Sequence, residues 1–360
     1  MKTRPPRSLL SLAAICCMEL FFWAQSSSAQ SAQEILAQIS RLAPQERTQK
    51  LIEGARKEGQ MVWYTTTNID QGAKILKTYQ AKYPFIQDKQ YRASNEKLGQ
   101  RIIQEARAGK LEADVIAIGI PEGPILKNRN IFLKYSSPEA NAYADFAKDP
   151  DGYWMMWQMI PIVLGYNTKL VHQGEVPRTY EDLLKPRWKK NIAIDSQPYG
   201  WFVGALKVLE KKLGSQEKAI AYFEKLAQQE PQYRSGHTLL NQLLAAGEFE
   251  LGPELRAHTL ERLKQTGAPV DWAVLDNMII IQPHYLAIST QTARPYSAAL
   301  FFDFILSREG TNVLREVRMV PTRSDMSTEY LRGYNVTPVD SYGEREVKLF
   351  RDLMLKGQSR

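Results

Sequence analysis

Between residues 59 and 118, strand-like runs alternate with segments whose apolar side chains recur at helical spacing. Met61–Tyr64 is a continuous apolar run without a helical period, which predicts a buried strand. The next segment predicts an amphipathic helix that opens at Asp70 and stops at Pro84. Two more predicted strands follow, Phe85–Arg92 and Asp114–Ile118, with a second helix between them. Three strands with intervening helices predict an α/β fold with a parallel, doubly wound sheet.

The same patterns continue through the rest of the chain. Residues 33–57 predict one or two short helices, which we expect to pack outside the main fold. The later predicted strands are 162–167, 270–275 and 279–288, of which the last two could be one strand interrupted at Pro283. The later predicted helices are 219–226, 239–244 and 298–306, with Ser307 capping the helix that comes next. No repeat or low-complexity tract interrupts them, so we expect one soluble α/β protein of two lobes.

The first 29 residues have the pattern of a signal peptide. A basic start precedes the apolar run 9–24, and the small residues Ser27–Ala29 then provide a cleavage site. We therefore predict export with cleavage after Ala29, and a periplasmic location. Both cysteines, Cys16 and Cys17, lie in this segment, so the mature chain would have neither disulfides nor thiol chemistry.

The charge of the chain changes this picture little. The predicted signal peptide carries three basic residues and one acidic residue, so its removal lowers the formal charge from +8 to +6. Lysine and arginine are spread among acidic residues, and only Lys185–Lys190 is densely basic; with Trp188 as its one aromatic residue, it lacks the aromatic interleaving of single-strand binders. We expect a solvated loop there and no nucleic-acid partner.

Polar residues follow the predicted strands, where ligands of open α/β sheets bind. The Thr-rich loop that begins at Thr65 lies ahead of one helix, and Ser94 and Asn95 lie ahead of the next; helix N-termini favour negative charge. The candidate ligand-binding residues of this half are Tyr64, Thr65, Thr66, Asn68, Ser94 and Asn95. Core packing is the alternative for Tyr64.

Aromatic residues supply further candidates. Trp154 could form a cleft wall or belong to the core. The segment Ser196–Trp201 follows a predicted strand, and within it Tyr199 and Trp201 could enclose a solute while Gly200 leaves room for its approach.

Catalytic and metal motifs are absent from the sequence. There is no nucleophile elbow, no phosphate-cradling loop and no paired metal-binding helix, and the four histidines lack the spacing of a metal site. We expect a binding protein without a cofactor, rather than an enzyme.

Six motifs in order resemble the periplasmic solute-binding proteins of ABC importers, in the branch that includes the iron(III) and thiamine binders. They are KEGQMVWYTT from Lys57, EARAG with ADV in residues 105–115, YNTKL from Tyr166, YEDLLKPRWKKNIAI from Tyr180, GAPVDW from Gly267 and AALFFDFILSREG from Ala298. The resemblance implies two doubly wound α/β lobes joined by a hinge, the type II periplasmic binding fold. It places lobe one at 59–158 and 271–320, lobe two at 159–270 and 321–360, and an N-terminal extension at 30–58. The crossings between the lobes would lie near Trp157 and Trp272.

The resemblance also implies the function and two further site residues. Arg256 would lie in the ligand-binding turn, where it could clamp a carboxylate or phosphate; the alternative is a surface ion pair with Glu254 or Glu261. The tyrosine pair that binds iron(III) in this branch would fall at Ala257 and His258, and neither is a tyrosine. We therefore expect a monomeric receptor that closes about its hinge on a small, anionic solute and delivers it to an inner-membrane permease. The alternatives are a ferric-iron receptor, with Tyr64, Tyr199 and His258 as candidate ligands, a receptor for a sensor kinase, and a secreted enzyme on the same scaffold.

Overall fold

A computed structural model describes residues 31–326, 332–339 and 341–355 of the chain. The predicted signal peptide lies outside these residues. Within them, none of the helices is both long enough and apolar enough to cross a membrane.

The described helices agree with the spacing of apolar residues in the sequence. They are α1 Ala32–Ile39, α2 Pro44–Glu58, α3 Ile69–Lys82, α4 Asn95–Arg107, α5 Glu122–Asn128, α6 Tyr199–Leu213, α7 Gln216–Ala227, α8 His237–Ala246, α9 Ala257–Gln265, α10 Pro295–Leu306, α11 Arg308–Glu316 and α12 Glu344–Phe350. The cap predicted at Ser307 is confirmed, because its hydroxyl accepts a hydrogen bond from the Gly310 N–H.

The strands form one large mixed sheet and one small sheet. They are β1 Gln60–Thr65, β2 Gln87–Arg92, β3 Val115–Gly119, β4 Phe132–Leu133, β5 Met155–Asn167, β6 Ala193–Asp195, β7 Gln232–Arg234, β8 Leu251–Arg256, β9 Val270–Ala273, β10 Met278–Ser289, β11 Val320–Pro321 and β12 Asn335–Pro338. Strand β1 pairs in parallel with β2 and with β3, which confirms the parallel α/β unit. Strands β6 and β7 pair with each other in parallel.

Two long antiparallel strands, β5 and β10, run between the halves of the molecule. The start of β5 pairs with β10 and β11, and its second half pairs with β8 and β9. The end of β10 pairs with β3. Strand β10 continues through Pro283, with a register shift at the next residue, so the predicted interruption is a bulge within one strand. Trp272, where we expected a crossing, lies in β9 against the second half of β5.

The buried apolar residues form separate clusters in the two halves. One group is built on β1, β3, α3, α4, α10 and α11, and the other on β5, β8, α6, α7, α8 and α9. The segment at the C-terminus joins the second group, since Phe350 and Met354 are buried there with α6 and α7. This is a two-lobe α/β architecture; the residue limits predicted for each lobe stay a prediction.

The N-terminal helices are part of the first core, and the expectation that they pack outside the fold is wrong. Leu51 and Ala55 of α2 are buried against α10. The Arg47 guanidinium lies 2.6 Å from the Asp303 carboxylate, which also accepts a hydrogen bond of 2.9 Å from the Tyr135 hydroxyl. A buried charge requires such a partner, so this ion pair joins α2 to α10.

Candidate functional site

The loop after β1 is fixed by its own threonines. Thr65 and Thr67 are buried, and their hydroxyls lie 2.8 Å apart. The Thr67 N–H donates to the Thr65 hydroxyl, and the Thr66 N–H donates to the carbonyl of Ala117. The backbone N–H groups of Thr66 and Thr67 are therefore engaged within the protein, and the partly exposed Thr66 side chain is the polar group of this loop that can contact a solute.

Thr66 is connected to both long strands through a buried histidine. Its Oγ1 lies 2.7 Å from Nε2 of His284 on β10, and Nδ1 of His284 accepts a 2.9 Å hydrogen bond from the indole N–H of Trp157 on β5. Burial lowers the pKa of His284 to about 3, and the charge of Arg256 contributes in the same direction. His284 is therefore a neutral side chain at neutral pH.

Arg256 ends β8 and lies close enough to Arg92, the last residue of β2, for the two charges to interact. Burial lowers the pKa of Arg256; Glu254 and Asp195 oppose this shift, and Arg92 adds to it. Among the described residues, no carboxylate lies within ion-pair distance of either guanidinium. The predicted surface ion pair of Arg256 is therefore not formed. Two cations from the two halves of the molecule therefore lie near each other, and neither has an ion-pair partner among the described residues.

The two carboxylates whose charges act on Arg256, Glu254 and Asp195, make their contacts within the second lobe. Oε1 of Glu254 accepts a hydrogen bond from the Asp195 N–H, and Oε2 lies 3.3 Å from Nδ1 of His237. Asp195 accepts from the N–H groups of Gln197 and Gly236. Burial, together with the Asp195 charge, raises the pKa of Glu254 well above its usual range, so this carboxyl favours its neutral form. Glu254 therefore neutralises the positive charge of Arg256 poorly.

His258 lies in the first turn of α9, two residues after Arg256. Burial lowers the pKa of His258 to about 3, followed by the charges of Arg256 and Arg262. We define the Arg256 group as Thr66, Arg92, Arg256, His258 and His284. It combines residues of both halves with a long strand between them. Its two cations lie beyond ion-pair distance of Glu254 and Asp195, although the charges of these two carboxylates still act on Arg256.

Several of the other candidates have structural contacts instead. Tyr64 is buried, and its hydroxyl donates to Glu105 at 3.0 Å and accepts from Arg101 at 3.2 Å. Burial, followed by the hydrogen bond to Glu105, raises the pKa of Tyr64 to about 12. The Asn95 side chain binds the Gly119 N–H, the Ile120 carbonyl and Glu122, and thus braces the end of β3.

Asn68 and Ser94 occupy the N-cap positions of α3 and α4, and neither side chain forms a capping hydrogen bond. Both helix ends are therefore open to other acceptors. Whether they contact a solute stays a prediction.

The aromatic candidates pack against other side chains. The ring centres of Trp154 and Tyr285 are 4.3 Å apart, and Trp154 packs against three of the apolar clusters. Tyr199 and Trp201 belong to the first turn of α6, in the second-lobe core, where Trp201 is 1% exposed. A Cβ at Gly200 would overlap the side chain of Gln282, so β10 fills the space that we predicted for a solute.

Neither Arg92 nor His284 was among the candidates predicted from the sequence. Arg92 is the last residue of a predicted strand, and the rule that ligands bind at the carboxyl ends of strands could have identified it. No local signal marks His284, because its partner Thr66 lies 218 residues away.

The comparisons with known proteins agree with this architecture. Residues 123–336 match the family model described as bacterial extracellular solute-binding protein, and the chain belongs to that family. Its members are the solute receptors of ABC importers, so the chain binds a small solute outside the cytoplasm for a membrane permease. No curated protein matches the chain.

Solved structures show the same two-lobe type II periplasmic binding fold. Iron-bound HitA from Pseudomonas aeruginosa is 20% identical, with a TM-score of 0.69, and the match covers 82% of this chain and 99% of that one. AfuA from Actinobacillus pleuropneumoniae, with fructose-6-phosphate bound, is also 20% identical, with a TM-score of 0.69. The match covers 83% of this chain and 99% of that one. The Trichodesmium protein IdiA (FutA), in complex with iron and citrate, is 19% identical, with a TM-score of 0.66. The match covers 82% of this chain and 99% of that one. At these identities, the likeness shows the fold.

The described residues contain no group of three or more histidine, cysteine, aspartate or glutamate side chains that could hold a metal ion. The tyrosines proposed as iron ligands lie in different apolar clusters, Tyr64 in the first lobe and Tyr199 in the second. The Arg256 group instead has the chemistry of an anion site.

Proposed function

We propose that this protein binds a small organic anion, a carboxylate or a phosphate ester, between its two lobes. The observation that carries the proposal is the pair of guanidinium groups, Arg92 from the first lobe and Arg256 from the second, without an ion-paired carboxylate among the described residues. Arginine is well suited to planar, bidentate recognition of carboxylate and phosphate oxygens.

An anion between the two arginines would favour the closed form of the receptor. Without it, the two cations repel each other across the lobes; with it, each cation gains a partner that it has only in the closed arrangement. A ligand shifts such an equilibrium by its difference in affinity for the two states. Closure about the long strands β5 and β10 is thus the step that the solute drives, and the permease would recognise the closed form.

Binding of anions is the first test. Thermal shifts of the wild-type protein should respond to inorganic phosphate, citrate and simple phosphate esters, and not to spermidine or a neutral sugar, by mass action on the folded state. Arg256→Ala should abolish the response, Arg256→Lys should retain part of it, and Arg129→Ala, at an exposed position of the first lobe, should leave it unchanged.

Ferric citrate is the decisive competitor in that panel. Of the solved structures reported above, HitA is described as iron-bound and IdiA (FutA) as a complex with iron and citrate. If ferric citrate alone stabilises and colours the protein while metal-free anions do nothing, the ferric alternative replaces the anion proposal.

The place and partner of the receptor are proposed more finely than the family shows. We propose cleavage after Ala29, a soluble periplasmic monomer, and delivery to an inner-membrane permease rather than to a sensor kinase. N-terminal sequencing of the exported protein should begin at Gln30, and a start before Ser26 would contradict the cleavage site. A neighbouring permease gene, as against a kinase gene, would distinguish the two partners.

A further inference from the structure

We propose that Trp157 and His284 hold the Thr66 hydroxyl as an obligatory hydrogen-bond donor, so that the site takes a solute group that only accepts hydrogen bonds. The selectivity deepens the proposed function and rests on it. The arrangement of the three side chains stands on its own contacts, and it can be tested without a solute.

The direction of the hydrogen bonds follows from the indole. Nε1 of Trp157 can only donate, and it lies 2.9 Å from Nδ1 of His284. Nδ1 must therefore accept, and it carries no proton while this bond exists. A neutral imidazole has one N–H, which is then on Nε2.

The second bond fixes Thr66. Nε2 of His284 lies 2.7 Å from Thr66 Oγ1, so its N–H donates and the threonine oxygen accepts. The hydroxyl proton of Thr66 is left pointing elsewhere. The Thr65 hydroxyl donates to the Thr67 hydroxyl, and no hydrogen bond among the described residues uses the Thr66 hydroxyl as a donor, so its proton is available to a solute.

The neighbouring side chains also require a solute that accepts hydrogen bonds. Arg92 and Arg256, which face this region, are also donors without acceptor capacity. His284 itself is 2% exposed, so we assign it the role of orienting the Thr66 hydroxyl rather than of contacting the solute. A carboxylate or phosphate oxygen can satisfy all of these donors. A ligand hydroxyl or amine that has to donate finds no partner among them, and leaving such groups unpaired is costly.

The histidine tautomer is measurable in the solute-free protein. Nitrogen-15 NMR of the imidazole rings, assigned with a His284→Gln variant, should show Nδ1 unprotonated and Nε2 protonated for His284 from pH 5 to pH 8. Protonation of Nδ1 in this range would overturn the proposal. Trp157→Phe removes the indole N–H and should release the tautomer; a histidine that stays unchanged in this variant would contradict the assigned cause.

Binding assays test the donor itself, with inorganic phosphate and citrate as probes. Thr66→Val replaces the hydroxyl by a methyl group and should weaken binding about tenfold to a hundredfold, as expected for a hydrogen bond to a charged group. Thr66→Ser restores the hydroxyl and should bind within about threefold of the wild type. Equal binding by the valine and serine variants would refute a donor role.

The two proposals fail in different ways. If neither probe binds and Arg256→Ala changes nothing, the anion proposal fails and the selectivity fails with it, whereas the tautomer is still decided by NMR. If both probes bind through Arg256 and Thr66→Val binds them as the wild type does, only the inference about Thr66 is wrong.

Discussion

Replacement of Arg256 by methionine should stabilise the empty protein while it weakens solute binding. The guanidinium is partly buried, interacts with the like charge of Arg92, and has no carboxylate within ion-pair distance among the described residues. Burial lowers the pKa of Arg256, which means that the folded state disfavours its charge. Methionine keeps much of the aliphatic volume and removes that charge.

The two effects have opposite signs and can be estimated separately. A single stabilising substitution, such as one that optimises charge, commonly adds about 0.5–2 kcal/mol to the free energy of unfolding. For a domain of 150–250 residues, 1 kcal/mol changes Tm by about 2–4 °C, and a longer chain shifts somewhat less. We therefore expect the Tm of the empty protein to rise by about 1–4 °C. Loss of a charge-assisted hydrogen-bonding partner should cost about 1.5–3 kcal/mol in binding, or roughly tenfold to 150-fold in Kd.

Scanning calorimetry of the empty protein, together with titration calorimetry against citrate and phosphate, measures both quantities. Arg129→Met removes an exposed arginine from the same chain and should change neither. A double variant that also replaces Arg92 should lose less than the sum of the single losses if both arginines bind the same anion. A lower Tm for Arg256→Met, with unchanged Kd, would refute the reasoning.

Three further predictions concern the scaffold. Gly123→Ala should lower the free energy of unfolding by about 1–3 kcal/mol, because its Cβ would overlap the ring of Tyr285, whereas Gly174→Ala points into open space and should be neutral in the same urea titration. Asp303→Ala should cost about 3–5 kcal/mol in urea unfolding by leaving a buried guanidinium unpaired, and a loss below 1 kcal/mol would contradict that role. Burial raises the pKa of Glu122 from 4.5 to about 7, so its ionisation destabilises the fold increasingly between pH 4.5 and about pH 7, and by a constant amount above that; Glu122→Gln should be more stable than the wild type at pH 8 and equal to it at pH 4, and equal melting curves at pH 8 would contradict this.

The sequence by itself determined the local elements and the parallel unit around β1. The spacing of apolar residues is a property of short segments, and it marks which face of a helix or strand is buried. The presence of α3, α4 and α10, and the cap at Ser307, could therefore be predicted before any contact was known. The six motifs extended this to the two-lobe fold, which the family match confirms.

Only the tertiary structure decided what each face contacts. Tyr64 and Trp201 are residue types that suit a ligand wall and a core equally well, and both lie in the core. Thr66 and His284 are joined by a hydrogen bond across 218 residues, and Arg92 meets Arg256 from the other half of the chain. The physical reason is that periodicity encodes burial, whereas the partners of a buried or charged group are set by how strands distant in sequence are brought together in one sheet.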